Sequence, residues 1–451
     1  MFIINKIINF FEAFKPLYLS KKFYYIWVFF LFVLFFGYWF PQLFYIGKYL
    51  FLIFAFLAVA DAYYLLAPKR IIVSRNIAGK LSNGDPNPVS IEITNFYPYK
   101  SKVEIIDELP FQFQKRDFKM EVVLSPGESK KLKYYLKPVS RGIYQFGKIN
   151  AFISSSLGLV KLRCTFESPK EVKVYPGYIQ MKKHELIALT KHRGAGLKKI
   201  RKLGHSLEFE QIKQYNKGDD FRTINWKATA KHNKLMVNQY QDQTSQNIYS
   251  VIDMGRSMKM PFEQMTLLDY AINSSLSFSN IVIKKHDKAG ILTFERDIRL
   301  FQKSDNKKST LPKIFENLFH LKTGFYEADY EKLYKFINKK IPNRSLLMLY
   351  TNFEHYSSFQ RQMPFLVKMA KKHLLVVIIF ENTELEQLTH LETEKPHALY
   401  SKILAEDNLR QKRRMIKEMN LHKIHAILTK PEDLSMATIN KYLELKNRGL
   451  I

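Results

Sequence analysis

The chain has 451 residues, more than one ordinary domain core contains, and so indicates two or three domains. It carries 71 Lys and Arg against 41 Asp and Glu, and the formal net charge of +30 favours anionic lipid headgroups or an acidic partner. The single cysteine, Cys164, excludes an intrachain disulfide. Because the lysines are spread through every segment and we find no zinc-finger spacing or other compact nucleic-acid motif, we expect no nucleic-acid partner.

The N-terminal part of the chain has the pattern of a membrane anchor. We interpret residues 1–22, which mix lysines with aromatic and aliphatic side chains, as an amphipathic segment on the cytoplasmic membrane surface. The apolar runs Phe23–Phe40 and Leu43–Ala67 are each long enough to span a hydrocarbon core as a helix, so residues 23–67 are predicted to form a transmembrane hairpin. A cleaved signal peptide is the alternative, but its apolar core would be shorter and a small-residue cleavage site would follow it.

The distribution of positive charge predicts the orientation of this hairpin. Lysines and arginines flank both of its ends, whereas Lys48, near the start of the second run, is the one basic residue between positions 23 and 67. The positive-inside rule then places both ends in the cytoplasm. We therefore expect a multi-pass protein of the cytoplasmic (inner) membrane, with its soluble domains in the cytoplasm.

The pattern changes to short alternating segments over residues 71–178. Val89–Ile93 alternates apolar and polar residues, and turn residues such as Ser125-Pro126-Gly127 separate one segment from the next. Regular strands at this spacing predict a small antiparallel β-sandwich, which we interpret as a spacer or docking module. Residues 179–206 are rich in Lys and Arg and are interpreted as a basic linker.

A dense polar block follows this linker. It reads Glu208-Phe209-Glu210, then Gly218-Asp219-Asp220, then Asn225-Trp226-Lys227-Ala228-Thr229-Ala230. In this order the block resembles the signature of a bacterial family, the domain of unknown function 58, with Asn225 at a position where that family usually has Asp. The resemblance implies a membrane hairpin, a small β domain and a von Willebrand A-like domain, here over residues 207–451. It also implies assembly work at the membrane beside a MoxR-type AAA+ ATPase and other proteins with von Willebrand A domains.

Apolar runs alternate with amphipathic helical patterns in the rest of the chain. Strands are predicted at Ile248–Ile252, Ala289–Phe294, Ile298–Phe301, Leu346–Tyr350, Leu374–Phe380 and Ile424–Leu428. This alternation predicts a doubly wound α/β domain, a parallel sheet with helices on both faces. In such sheets the ligand crevice lies beyond the carboxyl ends of the strands, and Asp253 falls at such an end. The charged run Lys402–Lys417 is interpreted as one face of a solvated helix.

The resemblance also implies a cation site. A von Willebrand A-like domain binds a divalent cation such as Mg²⁺ through an Asp-x-Ser-x-Ser on its first strand, a loop Thr and a later Asp. The corresponding positions in this chain are Asp253, Ser257, Thr323 and Asn352. The set is degenerate, because Gly255 removes one hydroxyl and Asn352 replaces a carboxylate. We favour the alternative that Asp253 is structural, capping the following helix and pairing with Arg or Lys.

The signature block supplies a second candidate site. Its residues are Glu208, Glu210, Asp219, Asp220, Arg222, Trp226 and Lys227. Closely set carboxylates and cations can act as general acids and bases. They can also form a buried scaffold, in which Asp219 or Asp220 caps a helix over Phe221–Lys231 and Trp226 packs into the core; we favour this scaffold for any single residue. As a unit the block can present a surface to a partner.

Together these patterns predict a non-enzymatic, membrane-anchored interaction protein. Its cytoplasmic α/β domain is expected to dock protein partners, with a MoxR-type AAA+ ATPase as the partner that the resemblance implies, in protein-complex maturation or stress response. The anionic lipid surface is the second expected partner. The sequence has no Walker-type glycine loop, so we do not expect the chain itself to hydrolyse ATP. The alternative is a membrane-tethered hydrolase or transferase that uses the signature-block carboxylates.

Overall fold

The protein is a mixed α/β chain of two compact units, Met1–Tyr175 and Pro176–Ile451. The computed structural model describes residues 16–66, 71–115, 118–194, 207–216, 221, 224–242, 245–263, 265–383, 385, 388 and 396–451. The predicted mixed α/β organisation with strands in several sheets is confirmed. Most of the predicted amphipathic segment, residues 1–15, lies outside the described part.

The first unit begins with two apolar helices, α1 at Lys21–Phe36 and α2 at Pro41–Leu66. The rings of Phe30 and Phe54 pack with their centroids 5.5 Å apart, so the two helices contact each other. Within the described residues, α2 is the helix that is long and apolar enough to cross a membrane, with a mean hydropathy of 2.1. Helix α1 has 16 residues and ends before the predicted limit at Phe40, so a second full span is not confirmed.

The remainder of the first unit consists of short strands in three sheets. Their bounds are β1 Leu17–Leu19, β2 Ile71–Ile77, β3 Lys80–Ser82, β4 Asn87–Asn95, β5 Ser101–Asp107, β6 Lys119–Leu124, β7 Ser129–Leu136, β8 Gly142–Phe146, β9 Ile149–Ser154, β10 Val160–Phe166 and β11 Lys170–Tyr175. The strand orders are β1-β10-β9-β5-β6, β2-β4-β7 and β3-β11-β8. The pairs are antiparallel except β3 with β11, which departs from the predicted antiparallel pattern. Alternate residues of β2 and β4 are buried, as expected for sheets with one face on a core.

The carboxyl-terminal end of α2 is attached to these strands by a buried carboxylate. The side chain of Asp61 accepts hydrogen bonds from the hydroxyl of Ser155 and from the backbone N–H groups of Leu159 and Val160, the last two at 3.0 Å. A buried carboxylate without partners is strongly unfavourable, so these donors fix the position of the helix end. The first unit is therefore one body of helices and strands.

The second unit contains the larger sheet and most of the helices. Its elements are α3 Tyr178–Gly194, β12 Leu207–Gln214, α4 Trp226–His232, β13 Met236–Asp242, β14 Asn247–Asp253, β15 Pro261–Phe262, β16 Met265–Thr266, α5 Leu267–Lys284, β17 Lys288–Phe294, β18 Ile298–Asp305, α6 Thr310–Phe319, α7 Tyr330–Lys340, β19 Leu346–Thr351, α8 Tyr356–Lys372, β20 Leu374–Phe380, α9 Pro396–Leu421, β21 His425–Thr429 and α10 Leu434–Asn447. Strands β12 and β13 pair as an antiparallel hairpin apart from the main sheet.

The main sheet has the strand order β18-β17-β14-β19-β20-β21, with β18 antiparallel and the others parallel. Ile248 and Ile252 of β14 pack in a core with α5 and α10, whereas Tyr249 and Val251 pack in a second core with α7, α8 and α9. Helices therefore cover both faces. After β14 the chain adds β17 and then β18 on one side of β14. It then crosses to the other side of β14, where it forms β19. The switch point lies between β14 and β19, where ligand crevices form in open sheets.

The first part of the segment predicted as a basic linker, residues 179–194, belongs to helix α3, and residues 195–206 lie outside the described part. Helix α3 lies on α5, where the side-chain amide of Asn280 donates to the carboxylate of Glu185 at 2.8 Å. Lys284 of α5 pairs with the same carboxylate. The prediction of a linker considered only the positive charge of this segment, and Glu185 provides an attachment point that the charge balance does not reveal.

The attachment of α2 gives a testable expectation. In Asp61→Ala the N–H groups of Leu159 and Val160 lose their acceptor, and we expect the free energy of unfolding of the first unit to fall by about 2–4 kcal/mol. Thermal unfolding of the full-length protein in mild detergent measures this loss. Tyr63→Ala removes an exposed side chain from the same helix turn and serves as the control. Equal melting temperatures for the two variants would contradict the assigned role of Asp61.

Candidate functional site

The candidate site lies at the carboxyl edge of the main sheet, beside the switch point. Strand β14 ends there at Asp253, which is buried. Its Oδ1 accepts a hydrogen bond from the N–H of Gly255 at 2.7 Å, and its Oδ2 accepts from the hydroxyls of Thr351 at 2.7 Å and Tyr330 at 3.3 Å. The two hydroxyl oxygens are 2.6 Å apart. Neutral donors at the end of β19 and the start of α7 thus surround this carboxylate.

A second carboxyl group, Glu295, is buried directly after β17. It pairs with Arg299 on β18. Burial raises the pKa of Asp253 to about 6, the hydrogen bonds of Asp253 oppose this rise, and the negative charge of Glu295 adds to it. Glu295 was not among the predicted site residues, although it follows the second parallel strand directly and so carries the same sequence signal as Asp253.

The loop between α6 and α7 covers both carboxyl groups. A Cβ atom on Gly324 would lie 2.0 Å from Oε2 of Glu295, and a Cβ atom on Gly255 would lie 3.1 Å from the backbone nitrogen of Ala328. Close approach therefore requires glycine at both positions. The backbone N–H of Arg256 also donates to the carbonyl oxygen of Tyr326 at 3.0 Å, which holds the loop over the edge of the sheet.

A buried lysine lies beside this site. Lys412 of α9 is 5% exposed, and its Nζ donates to Oδ1 of Asn352 at 3.2 Å and to the carbonyl oxygen of Phe380. Burial lowers the pKa of Lys412 to about 8. The prediction that this charged run is a solvated helix face is wrong at Lys412. The signal was present, because Lys412 lies three residues from both Leu409 and Met415, on the buried face of the helix.

A small cleft opens beside Lys412. Its walls include Met260, Phe262, Phe380 and Asn352, and it has room for about one water molecule.

The four residues of the implied cation site do not form a set of free oxygen ligands. Both oxygens of Asp253 accept protein hydrogen bonds, and the amide oxygen of Asn352 accepts from the Lys412 ammonium, whose positive charge would repel a cation. Ser257 and Thr323 are half-buried. Across the described ranges no three His, Cys, Asp or Glu side chains are grouped to hold a metal ion. The residues present therefore do not fit a divalent cation.

The structural role predicted for Asp253 is also different from the observed one. The short 3-10 helix Arg256–Lys259 follows Gly255 without a side-chain cap, and Arg256 is exposed. The donors to Asp253 are neutral rather than basic. The reason is burial: the edge of the sheet is closed by Tyr330 and Thr351, which satisfy the carboxylate without a counter-ion.

The signature block forms the β12–β13 hairpin and α4. Asn225 caps α4, because its Oδ1 accepts from the N–H of Ala228 at 3.0 Å, and its Nδ2 donates to Oδ1 of Asn238 at 2.8 Å. An aspartate could not make both bonds, since a carboxylate does not donate. Helix α4 begins at Trp226 rather than at Phe221, with Asn225 as its cap; Asp219 and Asp220, which were predicted to cap it, lie outside the described residues.

The structure describes the side chains of only some of the other signature residues. Trp226 is 70% exposed, so the prediction that it packs into the core is wrong. Lys227 is exposed as well. Glu208 and Glu210 lie on β12, but their side chains are outside the described part of the chain. Both backbone and side chain of Asp219, Asp220 and Arg222 are outside it. The described part of the block thus presents a large aromatic side chain at a helix N-terminus.

These features define a multidomain α/β chain with an apolar N-terminal helix and a buried carboxylate at the switch point of its main sheet. Residues 211–398 match the family described as "Protein of unknown function DUF58". The match confirms the resemblance carried by the signature block and extends it through residue 398.

A relative from a curated collection of proteins is the uncharacterized protein YeaD of Bacillus subtilis (strain 168). The two are 24% identical over 170 residues, which is 38% of this chain and 40% of the Bacillus protein. Among solved structures, the CARDB domain of PF1109 from Pyrococcus furiosus, in complex with di-metal ions, covers 24% of this chain and 93% of its own at 18% identity and a TM-score of 0.17. The human CEP192 PapD-like domain 7 covers 24% and 89% at 11% identity and a TM-score of 0.18.

The pKa of Asp253 predicts how stability depends on pH. Its folded-state pKa of about 6 lies above the usual 3.8, so its stabilising contribution is complete below about pH 4 and is lost as the pH rises to about 6. We expect Asp253→Asn to remove this dependence on pH, worth about 3 kcal/mol, because the amide does not titrate; its single acceptor oxygen cannot keep all three hydrogen bonds of the carboxylate. Melting temperatures at pH 4 and pH 7 measure this, with the exposed Asp297→Asn as control.

The same measurement with Mg²⁺ or EDTA tests the cation site. We expect neither to shift the melting temperature of the wild-type protein. A melting temperature that Mg²⁺ raises in the wild type and not in Asp253→Asn would show that Asp253 is an ionised cation ligand.

Proposed function

We propose that this chain is a non-enzymatic docking protein anchored in the cytoplasmic membrane. In this proposal the helices α1 and α2 form a hairpin that crosses the membrane, and both soluble units are in the cytoplasm. The second unit acts as a von Willebrand A-like domain that binds protein partners. The partners implied by the family resemblance are a MoxR-type AAA+ ATPase and other proteins with von Willebrand A domains, in protein-complex maturation or stress response.

The surface of the two helices supports the membrane hairpin. Large apolar side chains on both helices are exposed, among them Phe29, Phe32, Phe56 and Val59. A contiguous apolar surface of this kind is unusual in water and is normal in contact with lipid tails. The 26 residues of α2 extend about 39 Å, which exceeds a hydrocarbon core of about 30 Å, and the end of the helix at Asp61 packs on the sandwich instead.

The topology of the main sheet supports the von Willebrand A-like assignment. The antiparallel strand β18 lies at one edge, and β14, the first strand of the sheet in sequence, lies in its centre. In this proposal, Asp253 at the end of β14 corresponds to the first cation ligand of that fold. Its neutral donors support docking that does not use a bound cation.

The single observation that carries the docking proposal is the exposure of Trp226. It is 70% exposed, within a block whose other described residues form a well-bonded hairpin and helix. Tryptophan is frequent among the residues that dominate binding energy at protein interfaces, because it supplies a large apolar area and a hydrogen-bond donor. An exposed Trp fixed at the start of a capped helix is suited to such a contact.

Binding of purified components tests the proposal. The full-length tagged protein in mild detergent is mixed with the MoxR-type AAA+ ATPase of the same organism, with and without ATP, and the retained ATPase is quantified. We expect Trp226→Ala to weaken retention at least about tenfold, as for a central interface residue. Tyr400→Ala, which truncates an exposed aromatic residue on α9, is the matched control and should bind like the wild type.

Three outcomes are informative. Equal retention of wild type and Trp226→Ala would remove Trp226 from the interface. Absence of ATPase binding to the wild type in every nucleotide state would overturn the assignment of this partner. Loss of a catalytic turnover in Asp219→Ala, with binding and folding intact, would favour the membrane-tethered hydrolase or transferase.

A further inference from the structure

Both ends of the helical pair enter the same end of the sandwich. Strand β1 leads directly into α1, and the N–H of Ser20 at this junction donates to the carbonyl oxygen of Leu159 at 3.0 Å. At the end of α2, the hydroxyl of Tyr97 donates to the carbonyl oxygen of Leu65 at 3.2 Å. Together with the carboxylate of Asp61, these bonds hold the strands firmly against the helices. The loops at this end of the sandwich therefore have a fixed position relative to the anchor.

Two of these loops contact each other beside the helices. They are residues 96–100, between β4 and β5, and residues 155–159, between β9 and β10. The hydroxyl of Ser156 donates to the carbonyl oxygen of Lys100 at 3.3 Å. Each loop presents one large apolar side chain, Phe96 or Leu157, and both are 52% exposed.

Positive charge surrounds these apolar side chains. Lys21 and Lys22 at the start of α1 and Lys100 on the first loop are exposed. The ammonium of Lys22 lies 3.8 Å from the position that a Cβ atom on Gly158 would take, so Lys22 lies over the second loop. An acidic residue at the same end, Glu128, accepts from the backbone N–H of Ser125 at 2.7 Å, so its carboxylate folds back onto its own turn.

We propose that the loops 96–100 and 155–159 form a membrane-contacting surface on the sandwich. Phe96 and Leu157 insert into the interfacial region of the cytoplasmic leaflet, and Lys21, Lys22 and Lys100 contact the headgroups of anionic phospholipids. Apolar side chains flanked by lysines are the composition that binds such interfaces. This inference rests on the proposed function, because it requires the helices to be inserted in the bilayer.

A lipid surface fits this patch better than a protein partner because the patch is continuous with the proposed lipid-facing surface of α2. Tyr63 and Tyr64, in the last turn and a half of that helix, are exposed and extend the apolar surface toward the loops. Tyr99 donates from its hydroxyl to the carbonyl oxygen of Tyr64 at 3.3 Å, which connects the helix end to the first loop. The sandwich would then rest on the membrane at a fixed height.

Depth-dependent fluorescence quenching tests this proposal. Full-length variants carry a single cysteine in place of Phe96 or Leu157, in a Cys164→Ala background, and this cysteine is labelled with an environment-sensitive fluorophore. Each labelled protein is reconstituted in liposomes of phosphatidylcholine and phosphatidylglycerol that contain a spin-labelled lipid as quencher. We expect the labels at both positions to lose about half of their fluorescence, as for an interfacial site. A label in Phe111→Cys should be unaffected, because Phe111 is 84% exposed and lies after β5, about 20 Å along the sandwich.

A label in Phe56→Cys distinguishes failure of this inference from failure of the anchor. Quenching at position 56 without quenching at 96 and 157 would overturn the membrane-contacting surface and leave the hairpin in place. Absence of quenching at position 56 would overturn the anchor itself.

A separate experiment tests the contribution of the lysine charges. We expect quenching at 96 and 157 to decrease in pure phosphatidylcholine and in the double variant Lys22→Glu with Lys100→Glu. Equal quenching with and without the anionic lipid would contradict the role of the lysines. Quenching that appears only when a purified membrane protein partner is added would assign the patch to that protein instead of to lipid.

Discussion

The unfavourable free energy of a buried carboxylate is the constraint on which both units depend. Asp61 and Asp253 are both buried, and except for the N–H of Gly255 beside Asp253, the hydrogen bonds described at each come from neutral groups distant in sequence. Ser155 is 94 residues from Asp61, and Thr351 is 98 residues from Asp253. Each carboxylate is therefore satisfied only when separate elements have assembled around it. In the first unit this joins the apolar helices to the strands; in the second it closes the central edge of the sheet.

The sequence predicts the elements well and their contacts poorly. Apolar runs of four to seven residues located the main-sheet strands, and Asp253 stood out because it ends the first of them. Nothing in the local pattern identifies Thr351 or Tyr330 as its partners, because a strand-ending Thr and a Tyr at the start of a helix are common. Trp226 shows the opposite error: an aromatic residue is assigned to the core by default, and only the three-dimensional arrangement reveals its exposure.

Lys412 shows why the implied cation site could not be judged from ligand identity alone. The sequence indicated a weakened set with Asn352 in place of a carboxylate, which could still contribute an amide oxygen. The structure uses that oxygen to accept a hydrogen bond from Lys412, a residue 60 positions away. The lysine thereby brings a positive charge to the edge of the sheet at which the family resemblance implied a cation site. The ammonium group of Lys412 and a bound metal ion exclude each other at this edge, because their positive charges repel.

If the chain is attached to a membrane, as proposed, its docking surface needs a lower intrinsic affinity for a partner. A chain confined to a membrane meets a partner at the same surface with a high effective concentration, so an interface of modest area is sufficient when both are held there. A single exposed aromatic anchor such as Trp226 is consistent with an interface of that size.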